Sequence, residues 1–119
     1  MTTKEILEKY FPAIHSGGWE SYIADDITFI NSNFDNIKQG KSAYVQAAGN
    51  FFTDTIAVEV RDYIAEDNRV CAQARYTLRS PSGKQGVCDV VEIWKSDGEK
   101  LTYCAIFFDT KAFVNFKSS

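Results

Sequence analysis

The sequence predicts an α+β fold in which helical segments of the N-terminal half cover one face of an antiparallel sheet. Three β-type runs occupy residues 69–109, separated by Ser80-Pro81-Ser82-Gly83 and Ser96-Asp97-Gly98-Glu99. Asp-Gly between runs rich in β-branched and aromatic residues is a strong hairpin signal, because glycine accepts the positive φ that such turns need. Segments with helical periodicity precede these runs, which is typical of α+β folds and not of doubly wound ones.

The first predicted helix covers residues 3–15. Thr2 and Glu5 form a capping-box pattern at its start, and apolar residues then recur at helical spacing. Pro12 has no backbone N–H and its ring clashes with the preceding turn. We therefore expect a kink or an early end near Phe11.

The remaining elements alternate between helix and strand before the three β-type runs. They are a short second helix near residues 19–23, a strand over 27–33, a short strand over 37–39, a third helix after residue 42, and a strand over 55–65. The tail 110–116 contains enough apolar residues to dock against the body, and Asp109 is placed to cap it.

The length of 119 residues predicts one domain, residues 1–119, with a sizeable core. Thirteen basic residues are scattered and the net charge is −3, so we expect no nucleic-acid partner. No apolar run approaches the roughly 18 residues of a membrane span, and the N-terminus lacks the apolar centre of a signal peptide. These features predict a cytoplasmic protein that binds neither membrane nor nucleic acid.

The cysteines and the single histidine do not form a metal-binding pattern. Cys71, Cys88 and Cys104 are isolated on predicted strands, and His15 has no second histidine to join it. We expect three buried reduced thiols, no metal site and no cofactor.

Several short motifs in a fixed order carry a family resemblance that covers essentially the whole chain. They are Tyr10–Gly18, Ala24–Phe29, Gly40–Ser42, Glu92–Leu101 and Phe107–Thr110. In order and spacing the chain resembles the nuclear transport factor 2-like superfamily, which includes ketosteroid isomerases and SnoaL-like polyketide cyclases. The resemblance implies a cone, in which a strongly curved, mixed or antiparallel sheet wraps around the three helices of the N-terminal half and leaves an apolar pocket. It also implies a homodimer formed through the outer sheet face.

The last β-type run gives separate support for a homodimer. Both of its faces are apolar, and a strand that is apolar on both sides is expected to be buried on both sides.

The same resemblance implies three site residues. Tyr10 falls at the position of the isomerases' tyrosine donor, Glu92 at that of their protonated aspartate, and Asn31 at that of their aspartate base. An amide cannot accept a proton at neutral pH, so the steroid-isomerase mechanism is disfavoured, although Asn31 can hold a ligand oxygen by hydrogen bonds. Glu92 remains as a candidate acid or base whose pKa burial would raise.

Two structural alternatives compete with these roles. Glu92 can face solvent or pair with Arg75 or Lys100, because Val87, Val91 and Ile93 would make an equally good inner face for the same strand. Tyr10 can be a core residue. The candidate pocket-lining residues, each equally suited to a plain core, are Trp19, Phe29, Phe52, Tyr76, Trp94 and Phe108.

Three functions are consistent with these residues. The first is a protein that binds a small lipophilic or carbonyl-bearing molecule. The second is a cofactor-independent isomerase, cyclase or lyase that uses Glu92 and Tyr10. The third is a dimerising interaction domain whose cone is filled by its own side chains. The fold alone does not choose among them.

Overall fold

The computed structural model describes residues 1–119 and contains a mixed sheet of six strands, three α-helices and one 3₁₀ helix. In chain order the elements are α1 (Thr3–Ser16), the 3₁₀ helix (Trp19–Tyr22), β1 (Ile23–Asn31), β2 (Ile37–Gln39), α2 (Lys41–Thr53), β3 (Thr55–Glu66), β4 (Arg69–Arg79), β5 (Gln85–Ser96), β6 (Leu101–Phe108) and α3 (Thr110–Lys117). The predicted α+β class is confirmed, and the three helices of the N-terminal half are α1, the 3₁₀ helix and α2.

The strand order in the sheet is β2-β1-β6-β5-β4-β3, and the sheet does not close on itself. β3 to β6 form the predicted antiparallel meander. β1 pairs with β6 in parallel, although the two strands lie at opposite ends of the sequence. The register of that pair shifts between Ile23 and Thr28, so a bulge accommodates the exposed residues Asp25 and Asp26. These two aspartates therefore belong to the strand, which begins four residues earlier than predicted.

Helix α1 begins at the predicted cap. The Thr2 hydroxyl accepts from the Glu5 N–H, and the Glu5 carboxylate accepts from the Thr2 N–H. The expected end near Phe11 is wrong, because the helix continues through Pro12 to Ser16. Pro12 lies on the solvent face, so the carbonyl that it leaves without a helical donor can bond to water.

The core lies between the helices and the inner face of the meander. α1 contributes Ile6, Leu7, Tyr10 and Phe11, all nearly inaccessible to solvent. β4 contributes alternate residues: Val70, Ala72, Ala74, Tyr76 and Leu78. None of the helices combines the length and apolar character that a membrane span requires.

The three thiols are free. Cys88 and Cys104 are buried, but Cys71 is only half-buried, because it lies on the outer face of β4. The expectation of three buried thiols is therefore wrong for Cys71.

The C-terminal helix α3 docks as predicted, although none of its residues is fully buried. The Asp109 carboxylate caps it by accepting from the Ala112 N–H at 2.9 Å. The ring of Phe116 lies directly over Gly86 of β5, so close that a β-carbon at Gly86 would be 2.5 Å from the ring. Gly86 therefore provides the space into which the helix packs.

We expect Gly86→Ala to lower the free energy of unfolding by about 1–3 kcal/mol, because the new methyl group displaces the Phe116 ring. In a Phe116→Ala background the same change should be neutral or stabilising by about 0.5 kcal/mol, since alanine suits a strand better than glycine. Urea unfolding of the four proteins measures both effects. Equal losses in the two backgrounds would show that the ring contact is not the cause. Gly49→Ala is the matched control, because its β-carbon would lie 3.9 Å from Trp19 and meet no clash.

Candidate functional site

A cavity of about 430 Å³ lies between the inner face of the sheet and helix α2, with α3 at its rim. Most of its wall is apolar. Many of the residues expected to line a pocket do line it. They are Tyr10, Phe29, Asn31, Phe52, Tyr76, Glu92 and Phe108.

Trp19 and Trp94 do not reach the cavity surface. Both are buried and pack behind its wall: Trp19 contacts Phe52 edge-on at a ring distance of 5.0 Å, and Trp94 lies 5.1 Å from the ring of Tyr10. These tryptophans support residues that line the cavity and do not form its surface.

Glu92 faces inward. Alternate residues of β5 are buried, and the series that includes Val90, Glu92 and Trp94 points to the core. Glu92 is only 2% exposed, whereas Val87 and Val91 are 57% and 41% exposed. The alternative inner face is therefore wrong. Pairing with Arg75 is wrong as well, because that guanidinium makes two hydrogen bonds to Asp89 on the outer face.

The buried Glu92 carboxyl has one donor for each oxygen. The Tyr76 hydroxyl donates to Oε2 at 2.5 Å, and the Trp94 indole N–H donates to Oε1 at 2.9 Å. Burial raises the pKa of Glu92, and the two hydrogen bonds offset this effect in part because they stabilise the carboxylate. The result is a carboxyl that retains its proton more strongly than a surface glutamate does.

A pair of tyrosines forms the second polar group in the cavity wall. The Tyr10 and Tyr44 hydroxyls are 2.7 Å apart, and both residues are nearly inaccessible to solvent. Desolvation raises the pKa of both phenols well above the ordinary value, so both remain protonated at neutral pH. Two hydroxyl protons are thus present and their mutual hydrogen bond uses one. The second has no acceptor within the protein.

Asn31 lies at the exposed edge of the cavity. Its side-chain oxygen accepts from the Ser32 hydroxyl at 2.7 Å, and it makes no hydrogen bond to Glu92 or Tyr10. The three residues that the resemblance placed in one site all line the cavity, but Asn31 is not part of the buried polar group.

Sequence reasoning missed several polar residues of this site. Tyr44 was not among the predicted site residues, although a buried tyrosine hydroxyl usually needs a hydrogen-bond partner and can indicate a polar cluster. Asn50, Asp54 and Lys117 also line the cavity. Lys117 is on the tail, whose direction the sequence did not indicate.

The sequence of residues 7–104 matches the model of the SnoaL-like domain family. No curated protein matches the chain in sequence.

Solved structures give matches at low identity. TerC, which was co-crystallised with polyporic acid, is 19% identical with a TM-score of 0.81, and the alignment covers 98% of each chain. A candidate SnoaL-like polyketide cyclase from Jannaschia sp. CCS1 is 17% identical with a TM-score of 0.84, covering 98% of this chain and 92% of the other. SalBIII, an epoxide hydrolase/cyclase-like enzyme in pyran ring formation of the polyether salinomycin, is 14% identical with a TM-score of 0.81, covering 92% of each. At these identities the likeness concerns the fold, and the expected cone is confirmed.

We expect the stability difference between Glu92→Gln and wild type to depend on pH. Because burial raises the pKa of Glu92, the folded state retains the proton to higher pH than the unfolded chain does. Wild type should therefore lose stability relative to the variant as the pH rises above about 4.5 and through the folded-state pKa. For one proton the slope is at most about 1.4 kcal/mol per pH unit.

Urea unfolding across this pH range measures the difference. The glutamine can still accept from Trp94 and can donate to the Tyr76 oxygen, whereas the Tyr76 hydroxyl proton loses its acceptor, a cost in stability that does not change with pH. Glu99→Gln, the same substitution at an exposed position, is the control for the loss of one carboxyl group. A pH-independent difference for Glu92→Gln would contradict the prediction.

Proposed function

This chain belongs to the SnoaL-like domain family of the nuclear transport factor 2-like superfamily, related to polyketide cyclases, and we propose that its cavity binds a small, largely apolar ring compound bearing a carbonyl or hydroxyl oxygen. The volume of about 430 Å³ falls within the range of small-molecule sites, and the wall has the usual composition of apolar surface with a few polar groups.

The observation that carries this proposal is the free hydroxyl proton of the Tyr10–Tyr44 pair. The two hydroxyls share one hydrogen bond, so one of their two protons is not used in a hydrogen bond within the protein and is available to the cavity. A ligand oxygen in the cavity can accept it. Neighbouring aromatic side chains, including those of Phe29 and Phe52, offer ring faces and edges to the rest of the ligand.

The named relatives are consistent with a ring compound as ligand. SalBIII acts in pyran ring formation, and the protein from Jannaschia sp. CCS1 bears the name of a polyketide cyclase. These names support a ring-containing or ring-forming compound as the ligand class for this chain.

A second candidate function is catalysis without a cofactor, and the placement of Glu92 in the cavity wall favours it. A protonated Glu92 can give a proton to a ligand oxygen, and an ionised one can remove a proton from a carbon beside a carbonyl group. Tyr10 would stabilise the developing negative charge by donating a hydrogen bond. This isomerase, cyclase or lyase activity requires that Glu92→Gln retain ligand affinity and lose turnover.

The third possibility, an interaction domain whose cone is filled by its own side chains, is disfavoured. A filled cone would leave no space of about 430 Å³ beside the buried polar groups.

We expect the carbonyl oxygen of a bound ketone to depend on the tyrosine pair. Fluorenone and fluorene differ mainly by that oxygen, so wild type should bind the ketone about fivefold more tightly, as a neutral hydrogen bond warrants. In the double variant Tyr10→Phe/Tyr44→Phe this preference should disappear, because no hydroxyl proton remains at the pair.

Thermal shift and titration calorimetry measure the two affinities. A ligand at about 100 times its Kd stabilises by roughly 2.7 kcal/mol, which a melting curve detects. Either single variant retains one hydroxyl and should keep part of the preference. A preference unchanged in the double variant would refute the role of the pair. Failure of both compounds to bind wild type would count against the proposed ligand class.

We further propose that a second copy of the chain covers the outer sheet face. An apolar row crosses four neighbouring strands there, formed by Ile64, Cys71, Ile93 and Ala105. Val91 lies beside this row and is 41% exposed. Cys71 and Ile93 are half-buried and Ala105 is buried, so the exposed apolar surface comes chiefly from Ile64 and Val91. Exposed apolar surface favours association between proteins.

Val91→Lys should convert a dimer to a monomer, because a charge would be buried in the interface without a partner. Sedimentation velocity measures the change. Val114→Lys, on the exposed side of α3, should leave the sedimentation coefficient as in wild type. A wild-type protein that sediments as a monomer would disprove the proposed dimer.

A further inference from the structure

We propose that Lys117 makes the cavity selective for ring compounds that carry a carboxylate, a preference that rests on the proposed ligand-binding function and specifies its ligand class. Three residues of the cavity wall carry a carboxyl or an amino group: Asp54, Glu92 and Lys117. Lys117 is the only cation among them. An anion that enters the cavity therefore has one side chain to which it can pair.

The position of Lys117 is fixed by contacts other than its own charge. Phe116 packs over Gly86, and Phe113 contacts Phe51 at a ring distance of 5.8 Å. The Ser82 hydroxyl donates to the carbonyl oxygen of Ser119 at 2.9 Å, just beyond the helix. Packing of helix α3 thus holds the backbone of Lys117 at the rim of the cavity, within reach of a ligand that enters.

The ion pair between Lys117 and Asp54 leaves the ammonium group with donors to spare. The ammonium group has three N–H donors, and the Asp54 carboxylate accepts from one of them. The Lys117 side chain is 29% exposed and that of Asp54 is 43% exposed, so both partners of the ion pair are in part accessible to solvent. Water therefore screens the attraction between Lys117 and Asp54, and a ligand carboxylate in the cavity can share the ammonium group with Asp54 or replace Asp54 as its partner.

The two polar groups of the cavity then define a ligand with two different ends. The buried end holds the free proton of the Tyr10–Tyr44 pair, which suits a neutral oxygen. The rim holds the ammonium group of Lys117, which suits a carboxylate. The wall between them is aromatic, so the connecting part of the ligand is a flat ring system.

A hydroxynaphthoic acid with its two substituents on opposite rings, and the corresponding hydroxynaphthamide, test this inference. The two probes have nearly the same shape and differ in charge. Wild type should bind the acid about tenfold more tightly than the amide, the ratio expected for a charge-assisted hydrogen bond at a partly exposed site. Titration calorimetry on the full chain gives both Kd values.

Lys117→Met should reduce the acid-to-amide ratio to about one, and Lys117→Arg should restore most of it, because arginine retains the charge. The ratio corrects for any general loosening of α3, which would weaken both probes alike. Lys111→Met is the matched control, since Lys111 is an exposed lysine on the same helix and lies outside the cavity wall. It should leave the ratio unchanged.

Three results would overturn the inference. Equal affinities of wild type for acid and amide would overturn it alone and leave the proposed function intact. An unchanged ratio in Lys117→Met would assign the selectivity to another group. Failure of the acid, the amide and the unsubstituted naphthol to bind would overturn the proposed function together with it.

Discussion

The structure depends on the burial of one carboxyl group within the meander. An unsatisfied carboxyl cannot be buried without a large cost in free energy, so Glu92 requires donors on the same inner face. Trp94 supplies one from two positions along β5, and Tyr76 supplies the other from β4. The Tyr76 donor reaches Glu92 in the observed β4–β5 register, in which Ala72 lies opposite Glu92. A slip of one residue would turn Glu92 to solvent and bring Val91 inward, so the polar pair and the register support each other.

The cavity follows from how the aromatic side chains are distributed around this group. Tyr44 is the one fully buried residue of α2, while Phe51 and Phe52 on the same helix remain half-buried, because they face open space and not packed side chains. Tyr10 and Tyr44 hold each other by a hydrogen bond and lie against Trp94. The helices are thus tied to the sheet on one side of the cavity and stand away from it on the other, with α3 at the rim.

Local patterns predicted the elements of this fold better than the contacts between them. The turn at Asp97-Gly98, the capping box at Thr2 and the cap at Asp109 all followed from residue type and spacing. The direction in which Glu92 points did not follow from residue type and spacing. Both faces of β5 carry apolar side chains, and only hydrogen-bond donors such as Tyr76 on the neighbouring strand decide which face lies inward. The Tyr10–Tyr44 pair joins residues 34 positions apart. Lys117 reaches the cavity through the direction of a tail helix that is set by the space above Gly86.

The parallel pairing of β1 with β6 has a consequence for how the chain folds. Ile30 lies beside Ala105, so the strand that follows the first helices has its long partner in β6, the last strand of this sheet in chain order. Until residues 101–108 have emerged, β1 has only the three residues of β2 to pair with, and its apolar side chains lack half of their cover. Sequence separations of this size slow folding, because the entropy of closing the loop opposes the contact until it forms. Completion of the sheet is therefore a late event in folding. Until β6 is in place, β1 is the strand most exposed to pairing with a wrong partner.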